Sequence, residues 1–401
     1  MKYPILFFLL ISYSLSAQLK PILFQFRTDT VLTWHYQFGD EFSGSTIDQN
    51  KWITRYPWGG LLLDQSQWST PEMLQVQNGW LHLNAVQYGQ KAKVEHWMIN
   101  QDQAQELKID IKNDSVYLDY LTSCLWSKDT FRYGYFECRA IVPSGQGLWP
   151  AFWLYGQNQK DEIDFMEMKG ERPNDIHVDI HLPNRKDYVK NKLGIKKDWG
   201  GWVSMEPALT EDTLIFSGVW LPNSLTYFVN GTAVSHFNGD FQTAMNLIVN
   251  LAVARDGYAF NPGPNDQTKF PATFQVDYLR VWNLDPTVTQ KMSSFPQINP
   301  QEINVIQEEK KQLKKRISLI YPKRTLEKEQ GFVSLIPIGA QQYAIQSNGT
   351  SDFEISFQGE NQTENRIKGK KANIIDLQNA PKNLSIIITC GNQKVAFFPL
   401  K

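Results

Sequence analysis

The chain has 401 residues, is 42% hydrophobic and 20% charged, and carries 40 Lys+Arg against 41 Asp+Glu. A net charge of −1 supplies no global field for nucleic acid or an anionic membrane surface. Three cysteines, Cys124, Cys138 and Cys390, are too few for a disulfide scaffold and wrongly spaced for zinc.

Residues 1–17 read as an export signal: Lys2, then the apolar run Ile5 to Ile11, then small residues at Ser14, Ser16 and Ala17. The run is too short to cross a bilayer, and no later run reaches about 18 apolar residues. The expectation is a soluble exported protein, periplasmic, cell-surface or extracellular, with no membrane insertion. From residue 18 to 284 the pattern is all-β. Short apolar or alternating runs recur between Gly, Pro, Asn and Asp, as in Trp80 to Ala85, Tyr133 to Val142, Leu225 to Val229, Asn246 to Val253 and Thr273 to Trp282. Asn78-Gly79 and Asn230-Gly231 are hairpin-turn signals. Such regular strands predict a large antiparallel sandwich. Cys124 and Cys138 flank a turn-like segment and are expected as cross-strand neighbours, either bridged or as two buried thiols.

Residues 285–301, with Pro286, Pro296 and Pro300, read as a linker. Residues 302–401 open with a charged segment compatible with a short helix and continue as a second β pattern. The expectation is a small C-terminal β-sandwich-like domain. It contains no Trp, which favours a spacer or tether over a carbohydrate-binding role.

The chemistry concentrates in Asp161-Glu162-Ile163-Asp164-Phe165-Met166-Glu167. On a strand, Glu162 and Asp164 share a face, and one β-bulge brings Glu167 to the same side. Ile163 and one of Phe165 or Met166 then point into a core. Like charges repel along a strand, so three acids on one face need a use. Paired carboxylates that flank a glycosidic bond, one protonated and one ionised, provide it. The longer Glu162 and Glu167 reach a common point while Asp164 stays recessed. The roles read are Glu162 nucleophile, Glu167 general acid/base and Asp164 orienting partner. Trp149, Ala151 and Trp153 alternate onto one face just upstream, where the two tryptophans are candidates for a sugar-stacking floor as well as for the core.

These residues resemble glycoside hydrolase family 16. The acidic stretch is similar to the family's bulged catalytic signature, Phe38 to Gly44 to its opening segment, and Thr130 to Arg139 and Gly147 to Trp153 to the strands before the signature. Asn250 to Val253 and Phe270 to Trp282 are similar to its closing strands. The resemblance implies a β-jelly-roll with an open cleft and a monomeric retaining endo-β-glycanase. It implies a polysaccharide partner, laminarin-type β-1,3-glucan first, with agarose, porphyran or carrageenan as the rival class. It implies no catalytic cofactor. A structural calcium on the convex face would use Asp277 and a backbone oxygen near Gly79. Three features depart from the pattern. His177 and His181 share a strand face where a single histidine is usual. Arg185 to Lys197 is a basic insertion, either a solvated loop or a rim for sulfate or carboxylate groups. Tyr56 to Gly60, where Trp58 offers a further sugar platform, is followed by the unusually apolar Leu61-Leu62-Leu63.

Overall fold

The alternation of apolar and polar residues sets the architecture. Along Trp80–Lys93, Leu81, Leu83 and Ala85 are fully buried and their neighbours half-exposed, as expected of a strand with one face on a core. The computed structural model describes residues 23–25, 31–183 and 198–284 (without 211, 223, 231 and 239–241), together with short strands between 317 and 397. The export signal, the charged segment 302–316 and the basic insertion 185–197 lie outside the described residues. Among the described residues the only α-helix is Gln101–Glu106, capped by the Asn100 side chain accepting from the Gln103 amide.

The long strands are β1 (Val31–Asp40), β2 (Trp80–Lys93), β3 (Ser115–Phe131), β4 (Gly134–Ile141), β5 (Leu148–Gly156), β6 (Asp161–Glu167), β7 (Asp175–His181), β8 (Asp198–Glu206), β9 (Thr213–Leu221), β10 (Ser224–Val229), β11 (Thr232–Asn238), β12 (Met245–Val253) and β13 (Ala272–Leu284). One antiparallel sheet runs β8–β7–β6–β5–β12–β3. The other runs β11–β10–β9–β4–β13, and β13 pairs further with β2 and then β1. Pairing of β2 with β3 links the two sheets. This is the jelly-roll sandwich.

The sheets meet through aromatic rings. Phe165 of β6 stacks on Phe136 of β4, with centroids 5.2 Å apart. It presses so closely on Gly218 of β9 that a Cβ there would lie 2.2 Å from the Phe165 ring. Ile163, Phe165 and Met166 all enter this core, so the bulge tucks both Phe165 and Met166 inward rather than one of them.

Leu61 and Leu63 belong to a satellite core with Val94, Met98, Ile99, Ala104, Val116 and Leu118, while Leu62 packs toward Tyr56 and Trp126. The apolar run after Gly60 therefore anchors the loop that carries Trp58. Gly59, at φ 93°, lies against Met98, where a Cβ would come within 2.5 Å of Cγ.

Cys124 and Cys138 are free, buried thiols and are not neighbours. Cys124 pairs with Asn250 in the first sheet, whereas Cys138 pairs with Phe216 and Leu279 in the second. Beyond 317, strands form a three-stranded sheet (Val333–Gly339, Gln342–Ser347, Ile374–Asp376) and a four-stranded one (Asn365–Gly369, Phe353–Gln358, Ser385–Cys390, Gln393–Phe397).

Candidate active site

The bulge falls where the acids require it. Trp153 pairs with Asp164 but Phe152 pairs with Met166, and on the other side Asp164 pairs with Asp179 while Glu167 pairs with His177. One extra residue on β6 returns Glu167 to the side of Glu162 and Asp164. With Ile163, Phe165 and Met166 holding the core side, the three carboxylates line the outer face of the first sheet.

Asp164 is buried and hydrogen-bonded to Glu162. Burial, then the charges of Glu162, Glu167 and Asp179, push its carboxyl well above the usual range. This shift favours the protonated carboxyl, the form in which Asp164 donates to Glu162. Burial also raises Glu162, to about 7; the positive charge of His181 and the Asp164 hydrogen bond oppose the rise, and the charges of Glu167 and Asp179 add to it. Ligand-capable atoms of Glu162, Asp164 and His181 lie within 4.8 Å of one another.

Glu167 is held from two sides. Trp149 Nε1 donates to Oε1 at 3.0 Å, and His177 Nδ1 lies 3.1 Å from Oε2. The Trp149 ring stacks on Phe260 at 4.3 Å and 5°, and Phe260 also meets His177 edge-on and Trp202 at a tilt. Lys169 Nζ is 5.6 Å from the Trp202 ring centre and Arg172 Cζ is 4.2 Å from it. At the other end of the acid row, Trp153 Nε1 donates to Asn250 Oδ1 at 2.7 Å, and Tyr155 pairs with Glu162 across the strands. Trp58, 37% exposed, stacks flat on Tyr56 at 4.8 Å and meets Tyr155 edge-on. The Tyr56 hydroxyl, hydrogen-bonded to Cys124, is raised mainly by burial and also by Glu162 and Glu167, which places it beside the acids. The structure thus brings Trp149, Trp153, Trp58, His177 and His181 around the three carboxylates, half-buried or exposed along one surface.

Both histidines on β7 face the acids. Between them stands Asp179, 3.8 Å from His177 Nε2 and 3.6 Å from His181 Nε2. Burial raises its carboxyl to about 6, against the opposing charges of His181 and His177. The same alternation that pairs the two histidines in sequence also places Asp179 with them. Phe260 reaches the site from an irregular loop and carried no comparable signal, while Trp202 and Asn250 enter by direct pairing with His177 and Ala151, a register the sequence does not print.

Asp277 lies away from the acids. Register pairs Val276 with Leu81, which brings Asp277 near the Asn78–Gly79 turn, but its Oδ2 accepts from Arg139. Calcium takes six to eight oxygens. One carboxylate already engaged by a guanidinium plus one carbonyl falls short of that set, and no step below involves a metal.

The profile of Glycosyl hydrolases family 16 matches residues 84–280, the segment that holds the bulged strand and its neighbours. The chain belongs to that family. Glucan endo-1,3-beta-glucosidase A1 of Niallia circulans is 28% identical over 274 residues, which are 61% of this chain and 37% of that protein. The present chain therefore spans little more than a third of that relative. Beta-glucanase of Rhodothermus marinus is 28% identical over 282 residues, covering 64% of this chain and 87% of that one. The catalytic domain of an endo-1,3-beta-glucanase (laminarinase) from Thermotoga petrophila RKU-1 is 25% identical with a TM-score of 0.50, over 63% of this chain and 98% of that structure. Family 16 membership places the protein among the glycoside hydrolases.

Proposed function

We propose that the protein is an exported endo-acting, retaining β-glycanase whose substrate is a β-1,3-glucan of the laminarin type. The observation that carries this reading is the bulged strand, which aligns Glu162, Asp164 and Glu167 on one face with Asp164 hydrogen-bonded to Glu162. Glu162 attacks the anomeric carbon as Glu167 protonates the departing glycosidic oxygen. Glu167 then takes a proton from water, whose oxygen displaces Glu162 from the glycosyl-enzyme. Asp164 keeps its own proton and steers one Glu162 oxygen, leaving the other for attack. Trp149 and His177 hold Glu167, so the acid/base keeps its direction while its charge changes. Trp58, Trp149 and Trp153 supply aromatic faces and N–H groups suited to pyranose rings. The glucan preference is supported by the names of the two relatives, and export by the apolar leader.

A second reading, hydrolysis of galactans including sulfated ones, is favoured by Lys169 and Arg172 at the Trp202 wall. Product sizing on laminarin, lichenan, agarose, porphyran and κ-carrageenan separates the two. Rapid loss of chain length on laminarin supports the first; cleavage of the galactans alone overturns it. The Glu162→Gln variant should bind polysaccharide without cleaving it. Turnover near wild type in that variant would reject Glu162 as nucleophile.

A further inference from the structure

The outward face of the second sheet is dry across β9, β10 and the adjoining parts of β4 and β13. On β9, Leu214, Phe216 and Trp220 enter the core, which turns Ile215, Ser217 and Val219 outward. On β10, Leu225, Tyr227 and Val229 point in and Thr226 and Phe228 out. On β4 and β13 the same alternation sends Tyr135, Glu137, Tyr278, Arg280 and Trp282 outward. The outer faces of a sandwich ordinarily carry polar residues in water. Here Val219 is 1% and Phe228 2% exposed, and Ile215, Ser217, Thr226, Tyr135 and Trp282 are also buried. Even Glu137 is buried, with its carboxylate accepting from the Tyr278 hydroxyl at 2.7 Å and from Tyr135. Burial on this scale requires a third layer.

The described strands after residue 316 supply its position. Val333–Gly339 packs against β10 and β11. Gln342–Ser347 packs against Leu23–Gln25, which pairs with β1. Ile317–Ser318 adds a short parallel pairing to Met205–Glu206 at the end of β8. We infer that the C-terminal β module is a fixed layer docked on the back of the sandwich, with Ile215, Val219 and Phe228 under it, rather than a unit swinging on a tether. The acid row lies on the far side of the core, so a module docked here stabilises the back sheet and does not lengthen the cleft. The inference is independent of the catalytic reading.

Thiol protection in the full-length chain tests it. Ser217→Cys and Thr226→Cys are near-isosteric changes on the covered face, where Ser217 pairs with Phe228 and Thr226 with Val219. Maleimide labelling at each position, read by peptide mass, is expected to be at least about 100-fold slower in the native chain than in denaturant, because it must await local opening. Adding Leu335→Asp with Ile336→Asp on the covering strand should return labelling to near the denatured rate. Fast labelling of the native single variants would overturn the inference. So would protection that survives the double aspartate change, or that disappears on dilution, which would make a second copy the cover.

Discussion

Glu162→Gln should make the protein more stable, by an amount that depends on pH. Burial raises the Glu162 carboxyl from 4.5 to about 7. A carboxyl with a raised folded-state pKa binds its proton more tightly in the native than in the unfolded chain, so stability falls as pH climbs from about 4.5 to about 7. Above that window the ionised side chain costs about 3 kcal/mol, taking about 1.4 kcal/mol for each pKa unit. Glutamine is neutral throughout, keeps an oxygen to accept from Asp164 and escapes this cost. The variant should match wild type near pH 4 and melt roughly 6–12 °C higher above pH 8, using about 2–4 °C per kcal/mol for a domain of this size. All 13 tryptophans lie between Trp34 and Trp282, so intrinsic fluorescence reports this domain and not the C-terminal module. A melting difference independent of pH, or a variant less stable at pH 8, would refute the claim that Glu162 is held against its preferred protonation state.

His181→Ala removes the charge that most opposes the rise of Glu162, so the acid limb of kcat/KM should move to higher pH; a limb that stays put would dissociate His181 from the nucleophile. Trp149→Phe keeps the stack on Phe260 but deletes the N–H to Glu167. A hydrogen bond to a charged group is worth about 2 kcal/mol, so kcat/KM should drop roughly 30-fold. Unchanged kinetics would show that Glu167 is held without it. Trp58→Ala should raise KM for long oligosaccharides and leave kcat on short ones near wild type; equal effects on both lengths would remove its role as a platform. Gly218→Ala drives a methyl into the Phe165 ring and should cost about 1–3 kcal/mol in denaturant melts, whereas a neutral outcome would mean the sheets separate easily there.

How far the sequence disclosed the site depended on whether a local rule applied. Three acids at uneven spacing demanded a bulge, and register shifts on both sides of β6 show one. Period-two alternation placed Trp149, Trp153, His177 and His181, and the same rule would have added Asp179. That alternation could not reveal that Phe165 and Met166 both turn inward, because a bulge suspends it. Phe260 stacks on Trp149 from an irregular loop at φ 57°, a contact that no periodic pattern encodes. Leu61-Leu62-Leu63 looked anomalous because its partners, Met98 and Val116 among them, come from an excursion many residues later. The cysteines looked like cross-strand neighbours because a short sequence gap suggested a hairpin, whereas the chain passes to the other sheet between them; of the two states weighed, buried thiols is the one found. Asp277 was named through the family resemblance, as a calcium ligand; its Arg139 partner lies on the adjacent strand and is recognisable only once the register is known.

The central claim is that Glu162 forms a covalent bond to the sugar. A 2-deoxy-2-fluoro glycoside with an activated leaving group, reacted with the full-length protein and followed by peptide mass mapping, tests it directly. The account predicts a single glycosyl adduct on Glu162, lost slowly in water. An adduct on Glu167, or an unmodified protein that releases product with inverted anomeric configuration, would contradict it.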